Sequence, residues 1–250
     1  MTQVREWTVA LEGMKFLEGP RWHDGRLFVS DFYRREVLAL DSNGSVTRIA
    51  SVPARPSGTG WLPDGDMLVV SQLDQHVLRV KADGTLVTHA DLSDLVTGPA
   101  NDMVVSATGF AYVGSMGANV LAGEAFVPAP MVEIAPDGSA AIASEPLSFP
   151  NGPAITDDQG TLIVAETMGS RISAFDVLDD GSLGPRRDWA VFGEARTPER
   201  LAGLPIVEVL ALMGQPEAVT PDGIGLHRDG TLWVADAFNN RVIRDCCTDR

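Results

Sequence analysis

The sequence predicts an all-β fold, and within that class a β-propeller, because one short pattern recurs at a nearly fixed spacing. An apolar run that ends in a small residue and then a polar one occurs five times: LFVSD at 27–31, LVVSQ at 68–72, AYVGS at 111–115, LIVAE at 162–166 and LWVAD at 232–236. The steps between the last residues of these runs are 41, 43, 51 and 70 residues. A step of about 40–50 residues is the size of one four-stranded propeller blade.

The repeat at 149–176, FPNGPAITDDQGTLIVAETMGSRISAFD, gives the internal structure of one unit. NGPAIT, TLIVAET and RISAFD are short apolar runs, and DDQG between the first two is a turn signal. Runs of this length bounded by Asp and Gly indicate a meander of antiparallel strands rather than helices. We therefore predict five such repeats, the fifth ending after its third strand.

The two long steps contain insertions. NVLAGEAFVPAP, between repeats 3 and 4, is rich in proline and predicts a loop. TPERLAGLPIVEVLALMGQPEAV, between repeats 4 and 5, has apolar residues at near-helical spacing interrupted by Pro205. It predicts a short helix over one mouth of the ring, or else a surface excursion that packs its own apolar face.

Composition and charge indicate one domain, residues 1–250, and exclude several classes of partner. The chain has 44% hydrophobic residues and a net charge of −15 from 19 basic and 34 acidic side chains. Nucleic acids and anionic membranes need a cationic surface, so neither is an expected partner. No apolar run reaches the length of a membrane span, and the N-terminus does not resemble a signal peptide. The adjacent Cys246 and Cys247 cannot staple the fold, and we expect a reducing, cytoplasmic setting.

Five polar residues lie where the first strand of each repeat begins. Each precedes the end of its marker by 13 to 15 residues, and they are Glu18, Ser57, Asn101, Asn151 and Asp222. Equivalent positions on successive blades are related by rotation about the ring axis. If the first strand is innermost, all five side chains meet at the mouth of the central channel.

These residue types predict a site for a hard divalent cation. Glu18 and Asp222 supply two charges, and Asn101 and Asn151 supply amide oxygens, with no Cys or His among them. Such donors suit Ca²⁺, Mg²⁺ or Mn²⁺ better than a structural zinc. Each residue alone is more simply a turn residue, as Asp-Gly and Asn-Gly pairs are common turn signals. Their recurrence at one offset in every repeat favours the site.

The motifs FLEGPRW, PANDMVV, FPNGPAIT, LIVAET and PDGIGL…LWVAD resemble the senescence marker protein/regucalcin/gluconolactonase family, which includes luciferin-regenerating enzymes. The resemblance implies a six-bladed β-propeller with one divalent metal in its channel, calcium first, with zinc, manganese or magnesium as alternatives. It implies metal ligands at Glu18, Asn151 and Asp222, a substrate contact at Asn101, and an acid/base role for Asp222. It also implies a small lactone as the substrate.

Three departures from the family pattern concern specificity and ring closure. Pro99 stands where sugar-lactone members carry an arginine, and Asn119 stands where some carry a glutamate. Asn119 is therefore a predicted substrate contact. Because both replaced side chains would bind sugar hydroxyls, we do not expect a preference for gluconolactone. The chain ends in CCTDR where a sixth repeat is expected. We therefore expect a six-bladed type that lacks its last blade, with REWTVAL at 5–11 as a lone outer strand. Self-association through the open ring is also expected.

The expected activity is metal-assisted hydrolysis, in which Asp222 takes a proton from the attacking water while the metal polarises the lactone carbonyl. Metal ligation lowers the pKa of a carboxylate and so weakens Asp222 as a base, which leaves a metal-bound hydroxide as the alternative. The chain contains no G-x-S-x-G or H-E-x-x-H motif. The four histidines are interpreted as structural or surface residues: His23, His76, His89 and His227. A non-catalytic calcium-binding or scaffold propeller is the second hypothesis, because a fold does not fix a function.

Overall fold

The computed structural model describes residues 8–119, 122–194, 196–215 and 218–245, and these form five antiparallel sheets. Four sheets have four strands and the fifth has three, with strands paired in sequence order as meanders. The strands of blade 1 are β1 Leu17–His23, β2 Arg26–Asp31, β3 Glu36–Asp41 and β4 Val46–Ser51. Those of blade 2 are β5 Pro56–Trp61, β6 Met67–Ser71, β7 His76–Val80 and β8 Leu86–Asp91. Those of blade 3 are β9 Ala100–Val105, β10 Ala111–Ser115, β11 Val132–Ile134 and β12 Ala140–Ile142. Those of blade 4 are β13 Pro150–Ile155, β14 Thr161–Glu166, β15 Arg171–Asp176 and β16 Arg187–Val191. Those of blade 5 are β17 Pro221–Leu226, β18 Leu232–Asp236 and β19 Arg241–Asp245. The predicted all-β propeller is confirmed.

The hydrophobic core lies between the blades rather than within one of them. The second strand of each blade carries apolar side chains on both faces, so each sheet packs against the sheets before and after it. Val69 of β6 packs towards blade 1 with Phe28, while Leu68 and Val70 of the same strand pack towards blade 3. Similar apolar clusters join blade 3 to blade 4 and blade 4 to blade 5.

Glycines on the inner strands set how closely neighbouring blades approach at the channel. A Cβ atom at Gly58 would lie 2.3 Å from the backbone nitrogen of Met103 in the next blade. A Cβ atom at Gly152 would lie 2.2 Å from the carbonyl oxygen of Asp222. At the equivalent Gly223 of blade 5, a Cβ atom would meet nothing within 4 Å. The inner strands of blades 2 and 3, and those of blades 4 and 5, therefore pack backbone to backbone.

The predicted six-bladed type with a missing blade is wrong in its count, because the described chain forms a five-bladed propeller. The five repeats of the sequence each form one sheet, and the sixth was implied only by the family resemblance. On the face of blade 5 that points away from blade 4, Trp233 is 40% exposed and Val242 is 59% exposed. Of the predicted outer strand at 5–11, residues 8–11 form no strand and the rest lie outside the described residues, as do Cys246 and Cys247.

The second insertion forms two short helices, α1 Pro198–Leu201 and α2 Ile206–Met213, with Pro205 between them. Their apolar side chains pack on Phe126 of the first insertion and on Phe149 and Met168 at one end of blade 4. Phe149 directly precedes β13, so this helical cap lies at the same end of the propeller as the start of the inner strands. Neither helix in the described part of the chain is long and apolar enough to cross a membrane.

Candidate active site at the channel mouth

The inner strands bring four of the five predicted polar residues, all except Glu18, into a hydrogen-bonded row. The hydroxyl of Ser57 donates to Asn101 Oδ1 at 3.0 Å, and Asn101 Nδ2 donates to Asn151 Oδ1 at 2.9 Å. Asn151 Nδ2 in turn donates to a carboxylate oxygen of Asp222. Asn101 and Asn151 are only 5% and 4% exposed. Residues from blades 2, 3, 4 and 5 thus meet at one place, as the common offset in the repeats predicts.

Glu18 and Asp222 are carboxyl groups with strongly raised pKa values. Burial, followed by the negative charges of Asp222 and Asp102, raises the pKa of Glu18 to about 8. Burial and the charge of Asp102 raise the pKa of Asp222 to about 6, against the opposing effect of the Asn151 hydrogen bond. Both side chains are enclosed by protein yet still reached by solvent. The site therefore brings together acidic groups whose burial and mutual repulsion favour their protonated forms.

Asp102 is a third carboxylate that the sequence analysis missed. It is 3% exposed, its Oδ2 accepts a hydrogen bond from the Gly152 backbone nitrogen at 3.1 Å, and burial raises its pKa. Its Oδ1 has no hydrogen-bond partner among the described residues and lies 3.4 Å from where a Cβ atom of Gly19 would be. The carboxylate of Asp102, which belongs to blade 3, therefore lies between Gly152 of blade 4 and Gly19 of blade 1. The signal in the sequence is that the ring residue is followed by glycine in the other four repeats and by Asp102 in the third.

Arg21 crosses the channel further along the inner strands. Its guanidinium donates to the carbonyl oxygen of Met103 at 2.9 Å and to that of Pro153 at 3.4 Å. Because Arg21 belongs to blade 1 and its acceptors to blades 3 and 4, it ties three inner strands together. Its positive charge also partly offsets the raised pKa of Asp102.

Asn119 lies in the first insertion, and its hydrogen bonds are local. Its Oδ1 accepts from the Ala122 backbone nitrogen at 3.2 Å, and its own backbone nitrogen donates to Glu124 at 2.8 Å. These bonds hold the loop in a turn. No hydrogen bond among those of the described residues joins Asn119 to the row at the channel mouth, so its contact with a substrate stays a prediction.

The electrostatics and the donor types of the site fit a divalent cation. The side-chain amide of Asn151, however, directs its nitrogen rather than its oxygen towards Asp222. Burial, together with repulsion from neighbouring carboxylates, raises the pKa values of Glu18 and Asp222. A bound cation would favour their ionised forms, and oxygen donors suit a hard ion. In the described part of the chain no three His, Cys, Asp or Glu side chains converge on one point, so the predicted set depends on the oxygen of Asn151. That oxygen faces Asn101, while the nitrogen faces Asp222.

Comparison with proteins of known structure places the fold among related propellers. The chain is similar to a gluconolactonase from Xanthomonas campestris, with 21% identity, a TM-score of 0.68, and coverage of 96% of this chain and 78% of that one. It is similar to a luciferin-regenerating enzyme, with 18% identity, a TM-score of 0.72, and coverage of 94% and 73%. It is also similar to a calcium-binding regucalcin from Agrobacterium tumefaciens, with 21% identity, a TM-score of 0.63, and coverage of 92% and 74%.

Comparison with curated protein sequences found no significant match. The family model described as the SMP-30/gluconolactonase/LRE-like region matches residues 16–245, which include every strand of the five blades. The chain therefore belongs to the SMP-30/gluconolactonase/LRE-like family.

Proposed function

We propose that this protein is a divalent-cation-dependent hydrolase of small lactones. The observation that carries the proposal is the group of carboxylates at the channel mouth, Glu18, Asp102 and Asp222, beside a row of buried amides. Burial raises the pKa of Glu18 and of Asp222, and the charge of Asp102 adds to both shifts. Membership of the family and the similarity to a gluconolactonase support the reaction class.

Asp222 is the residue we assign as acid and base. In the cation-free site its pKa is about 6, so it is ionised at neutral pH. A bound cation would lower that pKa and make Asp222 a weaker base. Asp222 would take a proton from a water molecule as the water oxygen bonds to the lactone carbonyl carbon. When the ring C–O bond breaks, Asp222 would return the proton to the leaving oxygen, so that the product is a hydroxy acid and the enzyme is restored.

Glu18, Asn151 and Asp222 are the residues that would hold the cation, most simply calcium, with manganese, magnesium and zinc as alternatives. When bound, a divalent cation supplies Lewis-acid polarisation of the substrate carbonyl. The charge of Glu18 matters here because its pKa of about 8 keeps much of it protonated at neutral pH unless a cation is present. Asn101, in the same row, would orient the substrate from the neighbouring blade.

A non-catalytic calcium-binding role is the second candidate, and the same acidic group favours it. The similarity to a calcium-binding regucalcin is compatible with either function. The two candidates differ in whether bound calcium is accompanied by turnover of a substrate.

The proposal is tested by measuring the hydrolysis of a panel of aliphatic and sugar lactones, with proton release as the readout. We expect turnover with Ca²⁺ or Mn²⁺, loss of turnover with chelator, and recovery when the ion is restored. Asp222→Asn, which keeps an oxygen donor, should abolish turnover, while Asp188→Asn on an exposed strand of blade 4 should not. Tight calcium binding without turnover of any lactone would favour the non-catalytic role.

A further inference from the structure

A chain of hydrogen bonds crosses four blades and ends on Asp222. Arg55 Nη1 donates to Gln72 Oε1 at 3.1 Å, and Gln72 Nε2 donates to Asn101 Oδ1 at 3.2 Å. Asn101 Nδ2 donates to Asn151 Oδ1 at 2.9 Å, and Asn151 Nδ2 donates to Asp222 Oδ1. We call these five side chains the amide relay. Gln72 is fully buried, so the three amides exchange hydrogen bonds with each other rather than with water.

The direction of the amide relay is fixed by its two ends. A guanidinium only donates hydrogen bonds, and an ionised carboxylate only accepts them. Each amide between Arg55 and Asp222 must therefore turn its oxygen towards Arg55 and its nitrogen towards Asp222. Turning any one amide places two nitrogens or two oxygens against each other, so the three amides can reverse only together.

Gln72 connects Arg55, which precedes the inner strand of blade 2, to Asn101 in blade 3. In blades 1, 4 and 5 the equivalent marker residue is a carboxylate that accepts from the backbone nitrogen of the segment before the inner strand. These three carboxylates are Asp31, Glu166 and Asp236. A carboxylate at position 72 would accept from Arg55 but could not donate to Asn101. The glutamine therefore links the Arg55 cation to the row of amides.

We propose that Arg55 and Gln72 are positioning residues that hold Asn151 in the orientation unfavourable for a cation and so limit cation affinity at the site. This inference rests on the cation site of the proposed function. Binding requires the oxygen of Asn151 to face the ion, which requires Asn101 and Gln72 to turn as well. The nitrogen of Gln72 would then face Arg55, which cannot accept, so the hydrogen bond between Arg55 and Gln72 is lost when the ion binds.

Three neighbouring contacts also change when the amides turn, and none of them involves Arg55 or Gln72. The Ser57 hydroxyl, which donates to Asn101 Oδ1 at 3.0 Å, would face the nitrogen of Asn101 in wild type and variants alike. The Gly152 backbone nitrogen donates to Asn151 Oδ1 at 3.0 Å and also to Asp102 Oδ2 at 3.1 Å, so it keeps a partner when Asn151 turns. The contact of Asn151 Nδ2 with Thr167 Oγ1, at 3.2 Å, is lost in wild type and variants alike. It does not affect a comparison between them.

Calorimetric measurement of Ca²⁺ and Mn²⁺ binding to Gln72→Met tests the proposal without a change in charge. Methionine keeps the length of the side chain and removes the link between Arg55 and Asn101, so Asn101 and Asn151 can turn together. The loss of one opposing hydrogen bond should lower the Kd about fivefold. Arg55→Met should act in the same direction, with an additional gain at low salt because a positive charge is also removed.

Arg244→Met is the matched control. Arg244 lies 5.7 Å from the Trp233 ring centre, much as Arg55 lies 5.8 Å and 5.6 Å from the rings of Phe32 and Tyr33, and it has no contact with the relay. Its replacement should leave the Kd unchanged. Side-chain amide NMR signals provide a second measurement. Adding Ca²⁺ to the wild type should shift the signal of Gln72, although blade 2 supplies no assigned cation ligand, because Gln72 turns when Asn151 turns.

The outcomes separate this inference from the proposed function. An unchanged or higher Kd in folded Gln72→Met protein, or in Arg55→Met if Gln72→Met does not fold, overturns the inference. A lower Kd in both variants without hydrolysis of any lactone upholds the inference and contradicts only the proposed reaction. No cation binding in any variant contradicts both.

Discussion

The acidic group at the channel mouth predicts that the cation-free protein loses stability as the pH rises. The pKa of Glu18 is raised from 4.5 to about 8, and that of Asp222 from 3.8 to about 6. An acid with a raised pKa binds its proton more tightly in the folded state. Its contribution to stability is complete below the unfolded pKa and is lost as the pH rises towards the folded pKa. The window for Glu18 is therefore pH 4.5 to about 8.

The size of the effect follows from the shift of Glu18. One pKa unit corresponds to 1.36 kcal/mol, so the full shift gives about 3 kcal/mol at pH 7. Because water reaches the side chain, we take about half to two thirds of that value, ~2 kcal/mol. For a chain of this length, ~2 kcal/mol corresponds to about 4–8 °C in Tm.

Glu18→Gln tests this reasoning, with thermal unfolding followed from pH 5 to pH 8 in chelator. Glutamine has the same shape and does not ionise, so the variant should match the wild type near pH 5 and melt about 4–8 °C higher near pH 7. The control is Glu208→Gln on the exposed face of α2, which should follow the wild type throughout. A Glu18→Gln protein whose Tm falls with pH as steeply as that of the wild type would refute the assignment of the slope to Glu18.

Three further predictions concern the site, the blade packing and the substrate. Asp222→Asn should weaken divalent-cation binding about tenfold or more, since it removes one of the two ligand charges, and calorimetry at pH 8 measures this. Gly58→Ala should lower the free energy of unfolding by about 2–4 kcal/mol, because the new Cβ atom would collide with the backbone of blade 3. Gly223→Ala, where a Cβ atom meets nothing within 4 Å, should change it by less than about 0.5 kcal/mol. Urea titrations measure both values. With Pro99 and Asn119 in place of the family's arginine and glutamate, kcat/KM for gluconolactone should not exceed that for a plain aliphatic lactone, and a clear preference for gluconolactone would show that other residues bind its hydroxyls.

The repeats were sufficient to predict the blades because strand length, turn signals and spacing all act locally. The five markers became the second strands of five sheets, and the common offset placed Asn101, Asn151 and Asp222 in one hydrogen-bonded row. The number of blades was wrong where it was taken from the family resemblance instead of from the repeats. The helical spacing of the second insertion correctly indicated a helix, and Pro205 correctly marked its interruption.

The relay and the third carboxylate were beyond the sequence because both depend on contacts between blades. Arg55 and Gln72 are 17 residues apart in one repeat, and Gln72 and Asn101 are 29 apart in two. The sequence around Gln72 resembles that around the carboxylates at the ends of the other markers. Only the structure shows that the oxygen of its amide faces Arg55 while its nitrogen faces Asn101 of the next blade. Asp102 was hidden beside Asn101, since adjacent strand residues normally point to opposite faces and only one of them is expected in a channel.

Asp102 enters the channel because of the glycines around it. In the other four repeats the residue after the ring position is glycine, and at Gly58 and Gly152 the neighbouring backbone is so close that no side chain fits. Blade 3 has an aspartate there, and its carboxylate lies between Gly152 of blade 4, whose backbone nitrogen donates to it, and Gly19 of blade 1. An aspartate in place of this glycine thus adds a negative charge near Glu18 and Asp222, and that charge contributes to raising the pKa of both. The same local geometry that packs the blades therefore also determines how strongly the site would attract a cation.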